Sequence, residues 1–194
     1  GCYEQLYSYG SRSFAIFDTE GNQVFHSGAD FEQRLAELMP DYFNSNHSAS
    51  NFEGRSDDKG PEPEGVALGE INGRTYAFIG LERIGGVMVY DVTEPADSRY
   101  VAYVNNRDFS ISMEDEEEAG NTDLALPQAG DLGPEGLFFI PAADSPNGNN
   151  LLAVGNEVSG TTTIFEIDGA LTGPAEPGSS LPGELSSGSS GGRV

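Results

Sequence analysis

Positive charge is scarce in this chain: nine Lys and Arg stand against 32 Asp and Glu, a formal net charge of −23. Phosphate backbones repel such a surface, so nucleic-acid binding is disfavoured. An acidic surface suits high salt, seawater or divalent cations, or serves solubility alone. Cysteine is nearly absent. Cys2 cannot form an internal disulfide, and its place near a terminus leaves either pairing with a missing segment or no role. No apolar run approaches the roughly 20 residues of a membrane span. No signal-peptide pattern is visible, and the chain begins at Gly1, which reads as a processing boundary. With only His26 and His47, a zinc site of the usual kind is not expected; His26 reads as a strand end and His47 as a solvent residue. No Gly-x-Ser-x-Gly elbow occurs.

Glycine and proline are plentiful, at 26 and 11, and 37% of the residues are hydrophobic. That is a globular, turn-rich composition. One passage is written twice. "GPEPEGVALGEINGRTYAFIGLERIGGVMVYDV" at 60–92 and "GPEGLFFIPAADSPNGNNLLAVGNEVSGTTTIFEID" at 133–168 align Glu64-Gly65 with Glu135-Gly136. Each copy holds three short runs, with Asn-Gly marking the first hairpin. "GGVMVYDV" and "TTTIFEI" alternate with the period of two expected of strands. "RYVAYV" at 99–104 supplies a fourth strand to the first copy. Four-stranded meanders repeated along a chain predict a β-propeller. "RSFAIFD" and "NQVFHS", joined by "DTEGN", read as the third and fourth strands of a preceding blade.

The predicted fold is therefore all-β. It comprises about two to two and a half blades of a propeller with four-stranded antiparallel blades, in residues 1–168. Two insertions interrupt it. Residues 28–59 contain a short helix over "DFEQRLAELMP", with Asp30 as cap, Gln33 completing a capping box and Phe31, Leu35 and Leu38 on one face. Residues 105–132 contain the acidic run Glu114 to Glu118, which reads as a solvated loop. Residues 169–194 read as a flexible Gly/Ser/Pro-rich tail. Since propellers commonly have four to eight blades, the remaining blades are an expected partner, in a missing segment or another chain.

The glutamates recur in register. Glu64 and Glu135 precede the first strand of each blade, and Glu82 and Glu157 end the second. A meander brings both positions to one sheet edge, so all four are expected at one mouth of the central channel. Converging oxygens are what Ca²⁺ requires, which makes the four candidate metal ligands. Arg83 and Asn156 neighbour the second pair and are candidate substrate contacts, because an Arg can grip phosphate or carboxylate with two bonds. The alternative reading is architectural: a Glu before a strand can fix a turn, and the following Gly can serve a positive φ. Tyr76, Phe78, Phe138, Phe139 and Phe165, at strand spacing, read as inter-blade core.

These strings, with "YVNNRDFS" and "RSFAIFDTEGNQVFHSG", strongly resemble the C-terminal part of the choice-of-anchor I family over about residues 9–168. The family comprises bacterial secreted or surface-anchored β-propellers, related in pattern to YVTN-type and phytase-like propellers. Some members are described as atypical alkaline phosphatases and others as surface glycoproteins without known activity. The resemblance implies a secreted or cell-surface location. It implies calcium at Glu64, Glu82, Glu135 and Glu157, and a phosphorylated small molecule or surface ligand held by Arg83. It implies a calcium-dependent phosphoesterase in the full-length parent, with water activated by the metal because no nucleophile is recognisable. The other expectation is a non-catalytic adhesion or matrix-binding module.

Overall fold

A computed structural model describes residues 2–5, 7 and 10–167. The 169–194 tail lies outside them. Among the described residues, nine strands form three antiparallel sheets with neighbours in chain order. The first sheet is a half-blade of β1 (Ala15–Phe17) and β2 (Gln23–His26). The second is a whole blade of β3 (Pro63–Ile71), β4 (Arg74–Leu81), β5 (Val87–Asp91) and β6 (Arg99–Val104). The third has β7 (Pro134–Ile140), β8 (Asn150–Asn156) and β9 (Thr161–Ile167). The all-β, blade-like architecture is the one the repeats predict. The β3–β4 hairpin pairs Ile71 with Arg74 across Asn72 and Gly73. Both turn residues have positive φ, 52° and 76°, the conformation that an Asn-Gly turn supplies.

The blades stack face to face. One side of the whole blade packs Ala77, Ile79, Leu81, Met88 and Tyr90 against Phe31 and Leu35, with Phe14 and Ile16 of the half-blade. Its other side packs Tyr76, Phe78, Val87 and Val89 against Leu152, Val154, Phe165 and Ile167 of the third sheet. Both faces of β4 are thus covered, which is why it reads as an apolar run and not an alternation. A fully buried side chain of this size contributes about 2 kcal/mol. Phe78 and Phe139 stack across the blade interface with centroids 5.8 Å apart. Phe138 departs from expectation: it is 68% exposed. It alternates with Leu137 and Phe139, which pack towards the whole blade, so it falls on the face of β7 turned away from that blade.

The innermost strands β3 and β7 lie side by side. Gly65 makes this possible. A Cβ there would sit 2.1 Å from the Glu135 carbonyl oxygen and 2.6 Å from Leu137 Cδ1. Gly65 and Gly136 are not among the positive-φ glycines, so close approach, and not turn geometry, explains the first of them.

The insertions correct two further expectations. α1 (Asp30–Leu38) begins after Ala29, and no side chain caps it. Asp30 is instead the first helical residue, where its carboxylate accepts from Tyr90 Oη and pairs with Arg34 Nε at 3.3 Å. Phe31 and Leu35 are buried, but Leu38 is 40% exposed. The acidic run is helical, within α2 (Met113–Glu118), followed by α3 (Thr122–Ala125). Ser112 caps α2 by accepting from the Asp115 amide, and three acids in its first turn face the positive end of the helix dipole. Met113 anchors it with Ala125, Ala129 and Leu132.

Candidate functional site: a carboxylate–guanidinium mouth

Strand register decides where the four glutamates go. Pro63 pairs with Leu81 and Pro134 with Asn156. Glu64, Glu82, Glu135 and Glu157, each one residue on, therefore share one edge of their sheets, as the meander requires. The backbone closes this edge identically in both blades: Glu82 N donates to Glu62 O at 2.9 Å and Glu157 N to Gly133 O at 2.8 Å. That part of the motif is architecture. Glu64, Glu135 and Glu157 are exposed, whereas Glu82 is buried.

The electrostatic centre lies elsewhere, where the two copies differ. Glu62 stands where the second copy has Gly133, and Arg83 where it has Val158. Gly133 has φ 70° and Glu62 φ 51°, so a β-carbon is held in the left-handed region that glycine favours. Glu62 is 4% exposed and is caged by three cations. Arg55 Nη2 donates to its Oε1 at 2.6 Å, Lys59 Nζ reaches Oε2 at 2.6 Å, and Arg83 Nε lies 3.2 Å from Oε2. Arg83 Nη2 is 3.1 Å from Glu82 Oε1, and its Nη1 donates to His47 Nδ1. Arg83 is thus shared by two carboxylates and an imidazole, and Asp58 adds a second partner for Arg55 at 2.5 Å.

These contacts set the protonation states. Burial pushes the Glu62 carboxyl up, but the cations Lys59, Arg55 and Arg83 around it override this and hold it at about 2. Glu82 goes the other way. Burial, with Glu62 and Glu64 adding repulsion, raises it to about 7 against the pull of Arg83. Burial and then the charges of Arg83 and Arg107 lower His47, with Glu157 opposing. The imidazole is therefore half-buried and biased towards neutrality, not the solvent residue its sequence context suggests.

Behind the cluster, buried Arg107 fixes the loop that carries His47. Its Nη1 donates to Asn46 O at 2.7 Å and Arg83 O at 3.3 Å, and its guanidinium lies 4.4 Å over Phe109. Burial brings it down to about 10. Asn156, the other expected substrate contact, is buried and donates to Thr161 Oγ1 at 3.2 Å; Thr161 in turn donates to Asp131 at 2.6 Å. Its amide therefore ties the ends of β8 and β9.

Among the described residues, no group of three or more Asp, Glu, His or Cys side chains is placed to hold a metal ion. Calcium takes six to eight oxygens. With Glu82 engaged by Arg83, the four glutamates of this chain do not make such a cage by themselves. Among the same residues no helix is long and apolar enough to cross a membrane.

The sequence pattern missed Glu62, Arg55, His47 and Arg107. A signal for the first existed in the mismatch of Glu62 with Gly133 between otherwise parallel copies.

Gigasin-3a of Magallana gigas is 27% identical over 175 residues, covering 87% of this chain and 60% of that protein. The chain thus spans less than two thirds of the curated relative's length. No solved structure matches at a significant level. Over residues 1–95, which include the first of the repeated strings, the chain matches the choice-of-anchor I domain, in agreement with the family resemblance.

Proposed function

We propose that this chain is part of a secreted or cell-surface propeller module whose mouth recognises an anionic group, phosphate or carboxylate, through Arg83. The domain match supports the surface or secretion context. The observation that carries the rest is Arg83 shared between Glu82 and a Glu62 held at positive φ, where the sister blade has glycine. Glu62 lies 3.2 Å from Nε and pairs with the guanidinium by charge. Glu82 holds Nη2 but loses its charge near pH 7, so an incoming anion can replace it there. Inorganic phosphate added at pH 6 should shift the Arg83 side-chain resonances, and Arg83→Gln should abolish phosphate binding measured by calorimetry. An unchanged Arg83 spectrum at saturating phosphate rules the reading out.

The calcium-dependent phosphoesterase is the second reading. Family resemblance supports it, as does the pairing of a neutral-biased His47 with a guanidinium. Further blades of the parent would have to complete the metal's ligand set beside Glu64, Glu135 and Glu157. A phosphomonoester assay of the whole protein with and without EDTA separates the two. The binding-module reading expects no turnover in either condition; turnover abolished by EDTA establishes the enzyme.

A further inference from the structure

One face of the whole blade is only half covered. Val66 and Leu68 of β3 are 61% and 63% exposed. In the β3–β4 ladder they pair with Ile79 and Ala77, so all four side chains share one face of the sheet. Ile79 and Ala77 are buried there, in the cluster that holds Phe31, Leu35 and the half-blade residues Phe14 and Ile16. Among the described residues, cover on this face therefore stops between β4 and β3. The half-blade that supplies part of it has two strands, against four in the whole blade.

The second copy of the repeat shows what covers the same positions. Aligning Glu64 with Glu135 puts Val66 on Leu137 and Leu68 on Phe139. Leu137 and Phe139 are half-buried, and glycines of the preceding inner strand receive them. A Cβ at Gly65 would lie 2.6 Å from Leu137 Cδ1, and one at Gly69 2.5 Å from Phe139 Cδ2. Ala67 stands between these glycines on the same face, 8% exposed. Large side chains on one inner strand thus seat against a row of Gly, Ala and Gly on the strand before it. Val66 and Leu68 are the large half of the same joint. Neither inner strand of a second copy of this chain offers the small half. Its β3 row is taken by its own β7, and the matching row of β7 is Gly136, Phe138 and Ile140, with two bulky side chains in place of small ones. The chain spans 60% of its curated relative, so a protein of that length has residues for further strands.

We propose that Val66 and Leu68 are the docking face for the inner strand of the preceding blade, a strand of the same protein that lies before β1 in sequence and carries Gly or Ala at three alternate positions. With its hairpin partner it completes the blade to which β1 and β2 belong. The joint does not depend on what the mouth binds.

The test is thiol labelling of Val66→Cys, made in the whole protein with Cys2, the exposed cysteine of this chain, replaced by Ser. Cysteine is close to valine in size, so the substitution leaves the joint intact. Labelling should be slower than in the urea-unfolded protein by about 100-fold or more, at every protein concentration. The Val66→Asp/Leu68→Asp double variant, which places two charges in the joint, should lower the melting temperature of the whole protein by about 8 °C or more. Three results overturn the proposal: labelling at the unfolded rate, protection that disappears on dilution and so comes from a second copy, or a melting temperature unmoved by the two aspartates.

Discussion

Glu62→Gln is expected to lower the melting temperature at pH 7 by about 9 °C, the largest loss of any single charge removal at the mouth. Glu62 is buried and is the common partner of Arg55, Lys59 and Arg83. Removing one member of a buried ion cluster leaves the rest uncompensated and costs about 3 kcal/mol. Arg55 keeps Asp58 and Arg83 keeps Glu82, but their mutual repulsion is no longer offset. The sign with pH follows from the depressed carboxyl. A group held at about 2, against an ordinary 4.5, contributes stability that is complete above pH 4.5 and is lost as pH falls towards 2. The gap between wild type and variant should therefore close over that window. Glu62→Gly supplies the residue of the sister blade and relieves the left-handed backbone, so it should lose about 1 kcal/mol less than Gln. Thermal melts of the three proteins from pH 2 to 7 check both statements.

Gly65→Ala should destabilise by about 3 kcal/mol or more, while the same change at the matching Gly136 should be neutral within about 0.5 kcal/mol. At Gly65 the new methyl meets the Glu135 carbonyl at 2.1 Å, and a backbone atom cannot rotate away. The two inner strands would have to separate, opening the interface that buries Tyr76, Phe78, Leu152 and Phe165. At Gly136 nothing lies within 4 Å, and its φ is not positive. Denaturant unfolding of the two variants measures the difference. Equal effects would mean that β3 and β7 do not meet as described.

Much of the fold was written in local chemistry. Asn72-Gly73 fixes a hairpin by its own backbone preference, and the alternation through Val87 to Asp91 announces a strand without help from the rest of the chain. The helix around Phe31 and Leu35 was legible for the same reason. The acidic run was misread because five like charges show no apolar period; the cap at Ser112 and the anchor at Met113 were the available signals. Phe138 was misread because alternation tells which residues share a face but not which face is covered.

The site was only half legible. The recurrence of Glu64, Glu82, Glu135 and Glu157 correctly placed them at one edge, since pairing register is a property of the meander itself. It did not tell what they would face. Arg55 and His47 arrive from the 28–59 insertion and Arg107 from the loop after β6, contacts that no spacing along one strand encodes. The residues that matter electrostatically are those where the repeat is broken.

The charge sharing around Arg83 is tested most directly by the carboxyl ¹³C resonances of Glu62 and Glu82 followed by NMR from pH 2 to 9. Two widely split midpoints are predicted, with Glu82 near 7 and Glu62 near 2. Both groups titrating together near 4.5 would contradict the account.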